Sequence, residues 1–110
     1  MIPLKELVMV KETNEIYVSI CIPTYNRENS IIECVQSALN QSYPYIEVVV
    51  VDNASSDNTL GVLSKINDER LKIIKNDSTI HVAENWNKSI KESSHDLTLM
   101  LHSDDTLDFL

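Results

Sequence analysis

Near its end the chain runs Leu97-Thr98-Leu99-Met100-Leu101 and then, past His102 and Ser103, meets two adjacent carboxylates, Asp104 and Asp105. Five residues with so little polar character predict a strand buried on both faces, as in the middle of a parallel sheet. Acids at the carboxyl end of such a strand sit where open α/β sheets bind their ligands. Side chains alternate along a strand, so only one of the two neighbours points at a given target unless the chain has begun to turn, and different roles are expected for them. Neither has a basic neighbour in sequence, so a balancing cation is expected to arrive with the ligand.

The rest of the chain alternates strands and helices. Residues 16–22 are β-branched and apolar, and Pro23 is expected to end that first strand. Over residues 29–41, Ile31, Ile32, Val35, Ala38 and Leu39 fall on one face of a helix, with Ser30 and Glu33 as a capping box. Residues 46–51 form a second strand, too uniformly apolar after Glu47 for a half-exposed sheet. Ser56 or Asp57 caps a second helix that turns Leu60, Leu63 and Ile66 inward. Residues 71–75 alternate enough to be an edge strand.

A third helix covers about 81–93, with Val82, Trp86 and Ile90 as its recurring apolar positions and Glu84–Lys88 as an i,i+4 ion pair. His95 is expected in a left-handed conformation at its end, where Gly is usual. Gly61 is the only glycine, so turns that need φ > 0 fall to Asn, Asp or His. The order β-α-β-α-β-α-β predicts an α/β fold with a parallel sheet and right-handed crossovers. Residues 1–15 are a charged lead-in, and residues 16–110 are one domain.

Charge excludes one class of partner. A net charge of −8 argues against a nucleic-acid binder, which needs clustered Lys and Arg. Cys21 and Cys34 lie among apolar residues and fit no zinc spacing, so they are expected as buried reduced thiols. No secretion signal and no membrane-length apolar stretch is evident, which makes the cytoplasm the expected compartment.

Three loops at strand carboxyl ends hold the polar chemistry: residues 23–28, 52–57 and 103–105. In a sheet of order 3-2-1-4 the first and fourth strands flank the switch point, so these loops meet. Tyr25 either stacks on a base or covers a strand end. Asn53 either accepts from an imide N–H or leads the chain into the helix as an Asx turn. Asp52 either caps the same turn or reaches a ribose hydroxyl. Hard carboxylate oxygens suit Mg2+ or Mn2+, which bring phosphate oxygens and water to complete their shell. His102 is read as core or supporting packing, and Ser55, Ser56 and Asp57 as capping residues.

Val18-Ser19-Ile20-Cys21-Ile22-Pro23-Thr24-Tyr25-Asn26, Val51-Asp52-Asn53-Ala54-Ser55-Ser56-Asp57-Asn58-Thr59 and Ser103-Asp104-Asp105 together resemble the family 2 glycosyltransferases of the GT-A fold. The resemblance covers residues 17–107 and implies the Rossmann-like, nucleotide-binding half of that fold. It implies a nucleotide-diphospho-sugar donor, an inverting transfer to a saccharide or lipid-linked acceptor, and Mg2+ or Mn2+ as cofactor. Carried over by position, Pro23, Thr24 and Tyr25 border the base, Asp52 and Asn53 hold base and ribose, and Asp104 lies near the ribose or sugar. Asp105 is then the metal ligand, and Glu28 the first-loop acid of many relatives.

Three positions depart from the family pattern. His102 replaces the first acid of Asp-x-Asp, His81 a glycine that opens the third helix, and Trp86 an arginine near the phosphates. Charge compensation then rests on the metal with Arg27 or Lys88. No catalytic base is assigned, since relatives carry it in an acceptor-binding half beyond the acidic pair, and this chain alone is expected to transfer little or nothing. An exposed fourth strand is expected to favour self-association. The alternative is a folded or nucleotide-binding module without transferase activity. A receiver domain would need acids after the first strand, and a dinucleotide fold Gly-x-Gly-x-x-Gly; neither is present.

Overall fold

The computed structural model describes residues 16–95 and 97–107. The lead-in read over residues 1–15 lies outside the described residues. Seven elements follow in the order expected: β1 (Val18–Thr24), α1 (Ile31–Leu39), β2 (Ile46–Asp52), α2 (Thr59–Leu63), β3 (Leu71–Lys75), α3 (Val82–Lys91) and β4 (Leu97–Met100). The strands form one parallel sheet of order β3-β2-β1-β4. No described helix is long and apolar enough to cross a membrane.

Period-2 alternation divides β1 and β2 between two faces. Val18, Ile20, Ile22, Ile46, Val48 and Val50 join Ile31, Cys34, Val35, Ala38 and Leu63 in the main core. On the other face the Cys21 thiol donates to the Ser89 carbonyl of α3 at 3.4 Å, and Asn85 of α3 donates to the Val51 carbonyl at 3.1 Å.

α3 turns its recurring apolar positions away from the sheet. Val82, Trp86 and Ile90 point outward, at 59%, 37% and 45% exposure, while Asn85 and Ser89 are buried. The two stripes have the same period. What selects the polar one is the partners it finds on the sheet, a carbonyl for Asn85 and the small Cys21 under Ser89.

Four local expectations are corrected. β1 continues through Pro23 to Thr24 instead of stopping. The Cys21 carbonyl accepts from Leu101 N–H and the Thr24 carbonyl from Asn53 N–H, so by alternation the Pro23 nitrogen faces the β4 side. The β1–β4 ladder has already ended at Cys21–Met100, so the missing N–H forfeits no bond. β4 itself is an edge among the described strands, with Leu97 and Thr98 exposed, and not buried on both faces. Ser30 precedes α1 without capping it by a side-chain bond, because its hydroxyl donates to the Ser103 carbonyl at 3.1 Å. Lys88 reaches the Asn76 side chain at 2.6 Å rather than Glu84.

The second helix is short and begins after Asn58, with the Thr59 N–H donating to Asp57 Oδ1 at 2.9 Å. The left-handed residues described are Asn26 (φ 52) and Ala54 (φ 57), not His95. Asn was anticipated for such a turn; Ala was not. The loop forces it, because Asn53 and Ser55 on either side are both tied down by hydrogen bonds. An alanine there is strained by about 1–2 kcal/mol. Ala54→Gly is therefore expected to stabilise the fold by about 1 kcal/mol, after the glycine's greater chain entropy is allowed for, and a urea melt would read it.

Candidate functional site: a crevice where β1 and β4 part

Beyond the end of the β1–β4 ladder the sheet opens into a cavity of about 450 Å³. Pro23, Thr24, Tyr25 and Arg27 line it from the β1 loop, Asn53 from the β2 loop, and His102, Ser103 and Asp104 from the β4 loop. Thr79 and Ile80 of the β3–α3 loop and Val82, Asn85 and Trp86 of α3 complete the wall. The switch-point geometry thus gathers five of the predicted site residues: Pro23, Thr24, Tyr25, Asn53 and Asp104.

Their chemistry differs. Tyr25 is 46% exposed and offers a ring face at the mouth. Thr24 is 3% exposed, and its hydroxyl is a buried polar atom without a hydrogen-bond partner among the described residues. Buried hydroxyls are rarely left so, since desolvation without a partner costs about 1–3 kcal/mol. Trp86 and His102 stand edge-on with ring centroids 5.0 Å apart, so His102 forms part of the cavity wall instead of the core.

Three predicted residues are not in the lining. Asp52 is fully buried, and its carboxylate accepts from Ser55 N–H at 3.0 Å and Ser55 Oγ at 2.5 Å. It performs the turn-capping alternative. Glu28 is exposed, with its backbone N–H donating to Asp57 Oδ2 at 3.2 Å. Asp105 is exposed beside Asp104; its N–H donates to the His102 carbonyl at 3.0 Å, and its Oδ1 accepts from Thr106 N–H at 2.8 Å. The acids part, one in the lining and one beside it, in the turn that follows β4. Ser55, Ser56 and Asp57 bind the backbone and side chain of the 26–28 loop, which joins the first two loops into one unit.

Two features escaped sequence reading. Asn76 and Asn85 are buried in a polar network with Asn53, and only the isolated polar i,i+4 stripe Asn85/Ser89 signals it. The ammonium of Lys88 belongs to that network, which leaves Arg27 as the cationic candidate in the lining. Burial pushes the Cys34 thiol up to about 12, with the Asp105 and Asp104 carboxylates adding to the effect, so it stays a thiol beneath the β4 loop. Burial likewise pushes Cys21 to about 11. Neither thiol is suited to nucleophilic or metal chemistry.

Among the described residues no three His, Cys, Asp or Glu side chains form a metal-holding group. Mg2+ and Mn2+ need no such cluster, because one or two carboxylates suffice when phosphate oxygens and water supply the rest. Asp104 and Asp105 fit that requirement as adjacent, exposed, hard oxygen donors.

A four-stranded parallel sheet with polar loops meeting at its switch point is a Rossmann-like α/β fold, and the solved structures it resembles are GT-A glycosyltransferases. Residues 19–109 match Glycosyl transferase family 2, and the chain belongs to that family. It is 38% identical over 88 residues to the Escherichia coli UDP-Glc:alpha-D-GlcNAc-diphosphoundecaprenol beta-1,3-glucosyltransferase WfaP, covering 80% of this chain and 35% of that protein. The S. aureus TarS structure in complex with UDP-GlcNAc superposes with a TM-score of 0.74 at 32% identity, over 83% of this chain and 27% of that one. The Pyrobaculum calidifontis mannosyltransferase PcManGT, in complex with GDP-Man and Mn2+, gives 0.75 at 26% identity, over 84% and 28%. The chain spans about a third of the length of the curated relatives it matches.

Proposed function

We propose that the crevice holds the nucleoside diphosphate of a sugar donor, and that the protein serves an inverting glycosyl transfer. The observation that carries this reading is the cavity at the switch point, which brings together an aromatic ring, Tyr25, a guanidinium, Arg27, and a carboxylate, Asp104. Tyr25 stacks on the base, a contact worth about 1–3 kcal/mol. Thr24 borders the base, and Asp104 accepts from sugar hydroxyls. Arg27 lies in the lining to meet phosphate charge. Asp105, with Asp104, would hold Mg2+ or Mn2+. Such a cation neutralises a diphosphate and makes it a better leaving group.

In the transfer an acceptor hydroxyl loses its proton to a carboxylate, its oxygen bonds to the anomeric carbon from the far side, and the bond to the nucleoside diphosphate breaks. A lipid-linked acceptor like that named for the E. coli relative is compatible with this chemistry. The cytoplasm is the proposed compartment.

Uridine nucleotides are the first ligands to try, since relatives are named for UDP-glucose and found with UDP-GlcNAc. Calorimetric titration of UDP into the chain is expected to show binding that tightens when Mn2+ is added. Absence of heat at millimolar UDP, with and without Mn2+, would overturn the reading.

A further inference from the structure

The resemblance gives Asn53 to the base, yet its amide is already occupied. Oδ1 accepts from the Ile80 N–H and from Asn76 Nδ2, both at 2.9 Å, and Nδ2 donates to the Ile80 carbonyl at 2.8 Å. The Ile80 backbone fixes which end of the amide is oxygen, because an N–H needs an acceptor and a carbonyl needs a donor. Both lone pairs of Oδ1 are therefore filled. This atom has nothing left for an imide N–H; what remains is one hydrogen on Nδ2.

The network extends behind the wall. Asn76 Nδ2 donates also to Asn85 Oδ1 at 2.8 Å, and Asn76 Oδ1 accepts from Lys88 Nζ at 2.6 Å. Asn53, Asn76 and Asn85 are 5%, 7% and 2% exposed, so these bonds lie in a low dielectric and act together. At its open end hang Thr79 and Ile80, both in the cavity wall, with Thr79 Oγ1 donating to the Asn53 carbonyl at 3.2 Å.

We infer that Asn53 is a positioning residue and not the reader of the base: Lys88, Asn76 and Asn53 clamp the 76–80 loop as one wall of the cavity, and a ligand meets a single N–H donor there. A base then faces this point with an acceptor, such as a uracil carbonyl oxygen. The clamp rests on geometry alone; its effect on a nucleotide rests on the function proposed above.

Asn53→Asp tests it on the whole chain, by site-resolved hydrogen exchange and UDP titration. A carboxylate oxygen would face the Ile80 carbonyl, so Ile80 amide exchange is expected to quicken and UDP affinity to fall, each about tenfold. A base reader behaves oppositely, since a carboxylate accepts from an imide N–H at least as well. Unchanged Ile80 exchange, or UDP affinity equal to or above wild type, overturns the inference. Should Asn53→Asp show no cooperative melt, Lys88→Met decides, because Lys88 lies outside the cavity lining. Faster Ile80 exchange with weaker UDP binding supports the clamp, and no change in either overturns it. A wild-type chain that ignores UDP overturns the donor-site reading, while Ile80 exchange still decides the clamp.

Discussion

Asp105→Ala is expected to weaken Mn2+-dependent UDP binding at least about tenfold, since removing even an outer-shell partner of a metal site costs about 10–100-fold. Stability should hardly move. Asp105 is exposed, and its one described side-chain bond, to Thr106 N–H, belongs to a surface turn, so a melting temperature within about 2 °C of wild type is expected. The contrast with and without Mn2+ isolates the effect. Without the cation, variant and wild type should bind UDP alike, because Asp105 lies outside the cavity lining. If the variant retains the full Mn2+ enhancement, Asp105 is not a metal ligand.

Glu47→Ala is expected to cost about 2 kcal/mol at neutral pH, a fall of about 10 °C in melting temperature for a domain of this size. Glu47 lies on β2, at the end of the sheet away from the crevice. Its Oε2 accepts from Ser19 Oγ at 2.7 Å and Ser94 N–H at 2.9 Å, and its Oε1 from Ser94 Oγ at 3.0 Å. The carboxylate thus fastens the turn before β4 to two strands. Burial works against its ionisation, but the bonds from Ser94 and Ser19, with His95 nearby, outweigh burial and hold its pKa below the usual carboxylate range.

A depressed folded pKa adds stability that is fully present above the unfolded value of about 4.3 and is lost as pH falls through the folded one. Thermal melts from pH 7 to pH 3 should therefore show wild type and Glu47→Gln converging below about pH 4. A gap that stays constant with pH would remove the carboxylate's charge from the account.

The strands were legible because β1 and β2 are β-branched runs with few alternatives, and because residues 71–75 alternate as an edge does. Their order is that of a doubly wound sheet, which the strand–helix alternation suggested, and with it comes the meeting of Tyr25, Asn53 and Asp104. What escaped was decided by partners distant in sequence. Periodicity sees two equal stripes on α3, and only the Val51 carbonyl and Asn76, brought there by the sheet, tell which faces inward. Ser30 has the composition of a cap, but the Ser103 carbonyl outbids the helix end once β4 is in place. Asn53 lies in the cavity lining, but the saturation of its oxygen by a loop 27 residues away has no local signature.

Pro23 gives the crevice a permanence that side-chain packing alone would not. Zippering of β1 and β4 past Cys21 would require a hydrogen atom on a nitrogen that carries a ring instead. One rung that could close the gap is thereby denied by covalent structure itself, and not by side-chain packing alone.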